Sequence, residues 1–236
     1  MKQTSNLGIF IAALVIGTWL LSITCLMRWG INFNNPITYN LILIQMHLYT
    51  GLFITAHDAM HGTISSNKSL NNTIGQICTA LYAAFPLKKL NDKHHLHHKH
   101  VHTDNDPDHH AGSFGAWYIK FIKEYISWWQ IVIMAIVFNI LKIWIPQTNL
   151  LMFWVLPSLM STLQLFYFGT WLPHHGDHDN KYQSRSQNKN HFLAFISCYF
   201  FGYHYEHHDA PQIPWWQLWK MKDEAATQSY LRKKGN

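Results

Sequence analysis

Three histidine clusters carry the chemistry open to this sequence: His57-Asp58-Ala59-Met60-His61, His94-His95-Leu96-His97-His98 and His204-Tyr205-Glu206-His207-His208. On a helix, positions i, i+3 and i+4 share a face. The first box therefore aims His57 and His61 together, the second His94, His97 and His98, and the third His204, His207 and His208. His174, just after a later apolar run, could add a ninth nitrogen donor. One HxxxH arises by chance on a polar helix face, and a histidine tract can be a loose metal buffer. Three boxes at helical spacing, each just beyond an apolar segment, instead predict a buried metal site. A single zinc takes four ligands, three when catalytic. The donor count suits two octahedral irons with open positions, and imidazole suits iron; two zincs fit on count alone.

Ligating histidines usually pass their other N–H to a carboxylate. Asp58, Asp106 and Asp108 lie near the boxes and are candidates for that role, the alternative being exposed loop carboxylates. His95, His100, His102, His109, His110, His175, His178 and His191 lack the face or the spacing and read as solvated or supporting residues. His47, ten residues before His57, lies about 15 Å deeper along a helix and reads as a hydrogen-bonded helix residue. Cys25, Cys78 and Cys198 lie far apart in apolar runs, so neither a disulfide framework nor an iron–sulfur cluster is expected. There is no GxGxxG run, so electrons for any redox step must come from outside.

The elements that position these boxes are apolar. Of 236 residues, 48% are hydrophobic and 13% charged, against about 25% charged in ordinary domains. That excludes a disordered chain and leaves too few charges to cover a soluble surface. The mean hydropathy of −0.09 is pulled down by 18 histidines, while 11 tryptophans suit membrane interfaces. The net charge of +6 sits on residues flanking apolar segments, which points to a membrane rather than nucleic acid. Four runs are long enough to cross a bilayer core: residues 7–27, 36–56, 127–145 and 150–172. The first exceeds a signal-peptide core and lacks an A-x-A-like site, so it is expected to be retained. Pro157 should kink the fourth. Residues 70–87 contain Asn71, Asn72 and Gln76, and residues 192–201 are short; neither is expected to span. Residues 113–129 read as an interfacial amphipathic helix and 175–190 as a polar loop. With four crossings, all the boxes emerge on one face. Only Arg28 and Lys142, of 18 Lys and Arg, fall on the other, which places the boxes and both termini in the cytoplasm. The expected fold is a single domain, 1–236: an all-α integral membrane protein, multi-pass, with four transmembrane helices and a cytoplasmic histidine-box cap carrying interfacial helices.

The three-box pattern resembles the membrane fatty-acid desaturase and hydroxylase superfamily. The stretches LYTGLFITAHDAMHG (48–62), LQLFYFGTWLPH (163–174), FGYHYEHH (201–208) and PWWQL (214–218) are similar to those of bacterial β-carotene ketolases, over residues 7–220. His95 departs from that pattern, where a bulky aromatic is expected, and the loop after His174 is short and rich in histidine. The resemblance implies two iron ions, O2 as co-substrate, and oxidation of the allylic C4 methylene of a β-ionone ring. A second round at that carbon gives a gem-diol, which loses water to a ketone; both ends together convert β-carotene via echinenone to canthaxanthin. Hydroxylated carotenoids are further candidate substrates. Reduced ferredoxin is the expected electron donor. Lys88, Lys89, Lys93 and Lys99 could attract such an acidic partner, or simply reflect the positive-inside bias. The rival readings are a fatty-acyl desaturase or hydroxylase with the same boxes and a histidine-rich metal transporter. The latter would need polar residues along the spans, which are scarce here.

Overall fold

The long uncharged runs fold as helices because nothing else satisfies a backbone surrounded by hydrocarbon. The computed structural model describes residues 5–234, with side chains for 6–227, and contains helices and no strand among them. Helix α1 is Ser5–Leu26; Thr18 and Thr24 return their hydroxyls to the carbonyls four residues back, at 2.7 Å each. Helix α2, Pro36–Met60, starts on an Asn35 cap with Pro36 in its first turn. It runs past the expected end at Ala56 and carries the first box on its last turn.

Residues 70–87 form most of one arm and the turn of a helical hairpin. Helix α3, Lys68–Ala83, is capped by Asn67, whose Oδ1 accepts from the Leu70 N–H at 3.1 Å. It ends at Ala84, in the left-handed conformation. Pro86 then opens α4, Leu87–His100, which brings the second box back. The polar residues that set this stretch apart hold its turn and fasten it to α2. Gln76 Nε2 donates to the Phe85 carbonyl (3.1 Å), and its Oε1 accepts from the Leu87 N–H (3.0 Å). Asn71 Nδ2 donates to the Ala59 carbonyl (2.7 Å), pinning α3 to α2.

Helices α5, Phe114–Tyr125, and α6, Trp128–Leu141, meet at 82°. The expected amphipathic helix and third span thus form a bent pair. Alone, α6 covers only about 21 Å. Gln130 makes the break, because its Oε1 accepts from the Ser127 N–H and its Nε2 donates to the Ala83 carbonyl at 2.6 Å. Helix α7, Gln147–His174, is continuous and contains two π-turns, Leu151–Val155 and Tyr167–Trp171. Each precedes a Leu-Pro pair. A proline lacks an N–H and collides with the carbonyl four residues back; widening the turn before it relieves the collision. The Leu156 and Leu172 N–H groups reach back five residues, to Leu151 and Tyr167. Pro157 is therefore absorbed by a π-turn. Tyr82, near the end of α3, lies 2.9 Å from Thr162 Oγ1, so α3 ends level with the middle of α7.

Helix α8, His191–Cys198, is too short to span and is reversed by Tyr199 and Phe200, both left-handed. Helices α9, His204–Asp209, and α10, Trp215–Lys234, complete the chain. Three helices, α1, α2 and α7, are long and apolar enough to cross a membrane, or four crossings exist if α5–α6 is one broken span. Their outer faces show Phe10, Leu14, Leu21, Ile131 and Leu159, the surface a lipid solvent requires. Residues 1–4 and 235–236, whose side of the membrane was read from the lysine distribution, lie outside the described residues.

Candidate metal centre

Four helix ends converge. The last turn of α2 supplies His57 and His61, α4 supplies His94, His97 and His98, the end of α7 supplies His174, and α9 supplies His204, His207 and His208. Their nitrogens gather into two groups, His57–His61–His94–His207 and His97–His174–His204–His208, with one ligand atom from each residue lying within 4.8 Å of the others. His98 sits between the groups, its Nε2 3.1 Å from His207 Nε2 and its ring 4.3 Å from that of His208. The eight histidines picked out by spacing, and His174 from the end of an apolar run, are therefore brought together. Five Nε2–Nε2 approaches fall between 2.8 and 3.2 Å: His61–His94, His97–His208, His98–His207, His174–His204 and His204–His208. His204 Nε2 faces two others, and both nitrogens of His57 lack any hydrogen-bond partner. Buried nitrogens left this way are costly unless a cation takes their lone pairs. Imidazole-only groups do not suit Mg2+ or Ca2+, which take oxygen; they suit iron, copper, nickel or zinc.

Burial keeps these rings neutral, which a ligand must be. Burial and neighbouring histidines hold His94, His204, His207 and His208 well below the ordinary imidazole range. Burial, with His61 beside it, pushes His98 down to about 2; burial and His95 push His61 down to about 4. His97 differs. Burial alone would lower it, but the hydrogen bond to Asp106 and the charges of Asp106 and Asp108 outweigh that and raise it.

Outer hydrogen bonds aim two of the rings. His97 Nδ1 donates to Asp106 at 2.9 Å, leaving Nε2 to face the second group. Asp106 is fixed in turn by the N–H groups of His102 (2.9 Å) and Asp108 (2.8 Å), with His102 left-handed. His174 Nδ1 donates to the Gln183 carbonyl (2.9 Å), also presented by a left-handed residue. Of the three candidate carboxylates, only Asp106 makes a hydrogen bond to a ring. Asp58 lies 3.6 Å from His57 Nδ1 and instead accepts the Trp215 N–H at 2.9 Å, tying α10 to the first box. Asp108 accepts the Tyr125 hydroxyl at 2.5 Å and stands 3.9 Å from His97 Nδ1; burial pushes its carboxyl up to about 6. Glu206 pairs with Lys222 (3.0 Å) and accepts from Ser186. His47 is not hydrogen-bonded: it stacks on Tyr199 with centroids 4.3 Å apart.

An apolar groove leads here. It has a volume of about 500 Å³ and runs between α6 and α7, past Phe85, Met134, Phe138 and Trp154. It ends at a cavity of about 40 Å³ walled by His57, His94, His97 and His204. Phe53, Leu90, Phe121, Tyr125 and Leu165 line both. Gly169, in the second π-turn, lies against Phe201, whose ring is 4.8 Å from His57 and 5.3 Å from His204. A Cβ on residue 169 would overlap that ring. Gly169→Ala is therefore expected to push Phe201 into the cavity and cut turnover about tenfold or more, an overpacking cost of 1–3 kcal/mol falling on the reacting position, while bound metal stays constant. Turnover equal to that of the unsubstituted chain would contradict this placement. Gly169, Phe201, Tyr125 and the Gln183 carbonyl have no spacing signal in the sequence.

The fatty acid desaturase family profile matches residues 34–132 and 114–234. A β-carotene ketolase of Paracoccus sp. (strain N81106 / MBIC 01143) is 39% identical over 177 residues, covering 72% of this chain and 73% of the relative. A β-carotene 4-ketolase 3 of Haematococcus lacustris is 40% identical over 191 residues, 75% of this chain and 59% of the relative. A zeaxanthin 4-ketolase of Chlamydomonas reinhardtii is 35% identical over 222 residues, 89% of this chain and 50% of the relative. No solved structure shows a significant match.

Proposed function

Since the chain belongs to the fatty acid desaturase family and, within it, to the β-carotene ketolases, we propose that it is a carotenoid 4-ketolase, converting β-carotene via echinenone to canthaxanthin. The observation that carries this reading is the apolar groove that shares a wall with a cavity lined by imidazoles of two histidine groups, one buried and one partly so. The groove, about 500 Å³, suits a long hydrocarbon, and the cavity of about 40 Å³ beyond it has room for the C4 edge of a ring facing the histidines. Each round takes O2, two electrons and two protons, places one oxygen on C4 and releases the other as water. The second round gives a gem-diol that dehydrates to the ketone.

In this reading His57, His61, His94 and His207, with His98, would hold one iron, and His97, His174, His204 and His208 the other. Bound there, the irons would supply O2 activation and removal of a C4 hydrogen. The chain's own work is orientation and exclusion of water. Asp106 and the Gln183 carbonyl fix the His97 and His174 rings, and Phe53, Leu90, Phe121 and Leu165 form an apolar wall shared by groove and cavity.

The electrons come from an external carrier of the ferredoxin kind. His95 supports an entry beside the first group: it is exposed, and its ring lies 5.8 Å from His61 and 6.3 Å from His94. The lysines around the second box contribute less than their number suggests. Lys89 donates to the Tyr125 carbonyl and Lys93 pairs with Glu124, so both fasten α5 to α4, while Lys88 pairs with Asp92.

The histidine face is cytoplasmic by the lysine distribution. With Cys25, Cys78 and Cys198 replaced by alanine, Ser66→Cys and Lys99→Cys should label from the cytoplasm and Asn34→Cys from the far side. Labelling of residues 66 and 99 from opposite faces would overturn the topology.

Expression in a β-carotene-producing bacterium tests the activity. Echinenone and canthaxanthin should accumulate. Unchanged β-carotene beside well-expressed, iron-loaded protein would contradict the reading, and altered acyl chains would favour the fatty-acyl alternative.

A further inference from the structure

The carbon to be oxidised, C4, is bonded to C3. Any ring that turns C4 toward the histidines therefore brings its C3 substituent into the same small cavity. That cavity is apolar apart from the histidines and three side chains: Asp108, Tyr125 and Thr170. Asp108 is built in firmly. Its N–H donates to Asp106 Oδ1 (2.8 Å), its carbonyl accepts from Trp117 Nε1 (2.5 Å) and its Oδ1 accepts the Tyr125 hydroxyl (2.5 Å). Its Oδ2 has no hydrogen-bond donor among the described residues. The nearest, His97 Nδ1, stands off at 3.9 Å and gives its proton to Asp106. Lys120, on the same side, turns to the backbone carbonyls of Asp106 and His109. The Asp108 side chain, 11% exposed, thus lines the reacting cavity with one of its two carboxylate oxygens free to accept.

We propose that Asp108, held by Tyr125, is the acceptor for a 3-hydroxyl group on the ring, and so a specificity-determining residue that favours hydroxylated over unsubstituted β-ionone rings. The inference rests on the ketolase reading. A 3-hydroxyl carried into this cavity leaves water behind and needs an acceptor, and a carboxylate makes a stronger one than a neutral group. An unsubstituted ring offers Oδ2 nothing. Tyr125 lines both groove and cavity, so the ring passes the residue that fixes the carboxylate.

The test is competition. Vesicles loaded with equal amounts of β-carotene and zeaxanthin are supplied with the full iron-loaded enzyme and a reductant. The ratio of the two kcat/KM values is then compared across variants. Asp108→Asn should lower the zeaxanthin-to-β-carotene ratio about tenfold, the difference between a charged and a neutral hydrogen bond, and Tyr125→Phe should lower it by less. The ratio of dissociation constants, from quenching of tryptophan fluorescence, should move the same way and needs no turnover. If both substrates lose rate together and both ratios stay constant, Asp108 only orients His97 and the proposal is overturned. If the unsubstituted enzyme ketolates neither carotenoid, the ketolase reading itself fails and takes the proposal with it.

Discussion

His204→Ala is expected to abolish ketolation, with a loss of at least about 100-fold, and to lower bound metal. Loss of an outer partner alone typically costs 10–100-fold, and His204 is more central than that. Its Nε2 lies 2.9 Å from His174 Nε2 and 3.0 Å from His208 Nε2, and its ring forms part of the cavity wall. Removing it opens the second group and alters the surface that meets substrate. Alanine at His57, His61, His94, His97, His98, His174, His207 or His208 should act in the same direction. His110→Ala, outside both groups, should change neither metal nor turnover. Pigment analysis and metal content on the same preparations check the set. Several of these variants keeping full metal and full turnover would contradict the assignment.

The second large effect is expected at Asp106. Asp106→Ala removes the acceptor from His97 Nδ1 and also frees the His102 and Asp108 N–H groups. His97 would then be free to rotate or change tautomer. Metal affinity of the second group should fall 10–100-fold, so that under limiting metal the content drops from two ions per chain toward one. Asp58→Asn should leave metal content unchanged, because Asp58 holds the Trp215 backbone and makes no hydrogen bond to a ring. Equal metal loss in the two variants would refute the distinction between them.

These two carboxylates mark the limit of what the sequence makes legible. The histidines are readable because ligand geometry on a helix is a local matter: i, i+3 and i+4 fix a face whatever surrounds it. His174 follows from its place at the end of an apolar run. Which aspartate meets a ring is not local. It depends on the left-handed turn at His102 that folds Asp106 back onto His97, and proximity in sequence treated Asp58, Asp106 and Asp108 alike. The Gln183 carbonyl is hidden more deeply, since a backbone acceptor has no side-chain signature.

The membrane elements divide along the same line. Asn71 and Gln76 set residues 70–87 apart from the four longer apolar runs: Gln76 ties the turn between α3 and α4, and Asn71 pins α3 to α2. Residues 127–145 carry no charge before Lys142, yet hydropathy measures transfer and says nothing of direction. The bend against α5 follows from Gln130 reaching Ala83, a contact between distant parts of the chain. The π-turns arise from Leu156-Pro157 and Leu172-Pro173, where a kink was the simpler expectation. His47 looked like a hydrogen-bonding residue by type, but neither ring nitrogen finds a partner, and the ring stacks on Tyr199 and meets Phe195 edge-on.

The central claim is that two four-histidine groups, with His98 between them, hold two irons at the end of a carotenoid groove. The iron content of purified, active protein tests it most directly, by elemental analysis per polypeptide with Mössbauer spectroscopy on the same sample. The account predicts two irons per chain in coupled, histidine-rich sites, falling in step with ketocarotenoid formation when iron is removed. One metal per chain, or full activity in protein carrying zinc and no iron, would contradict it.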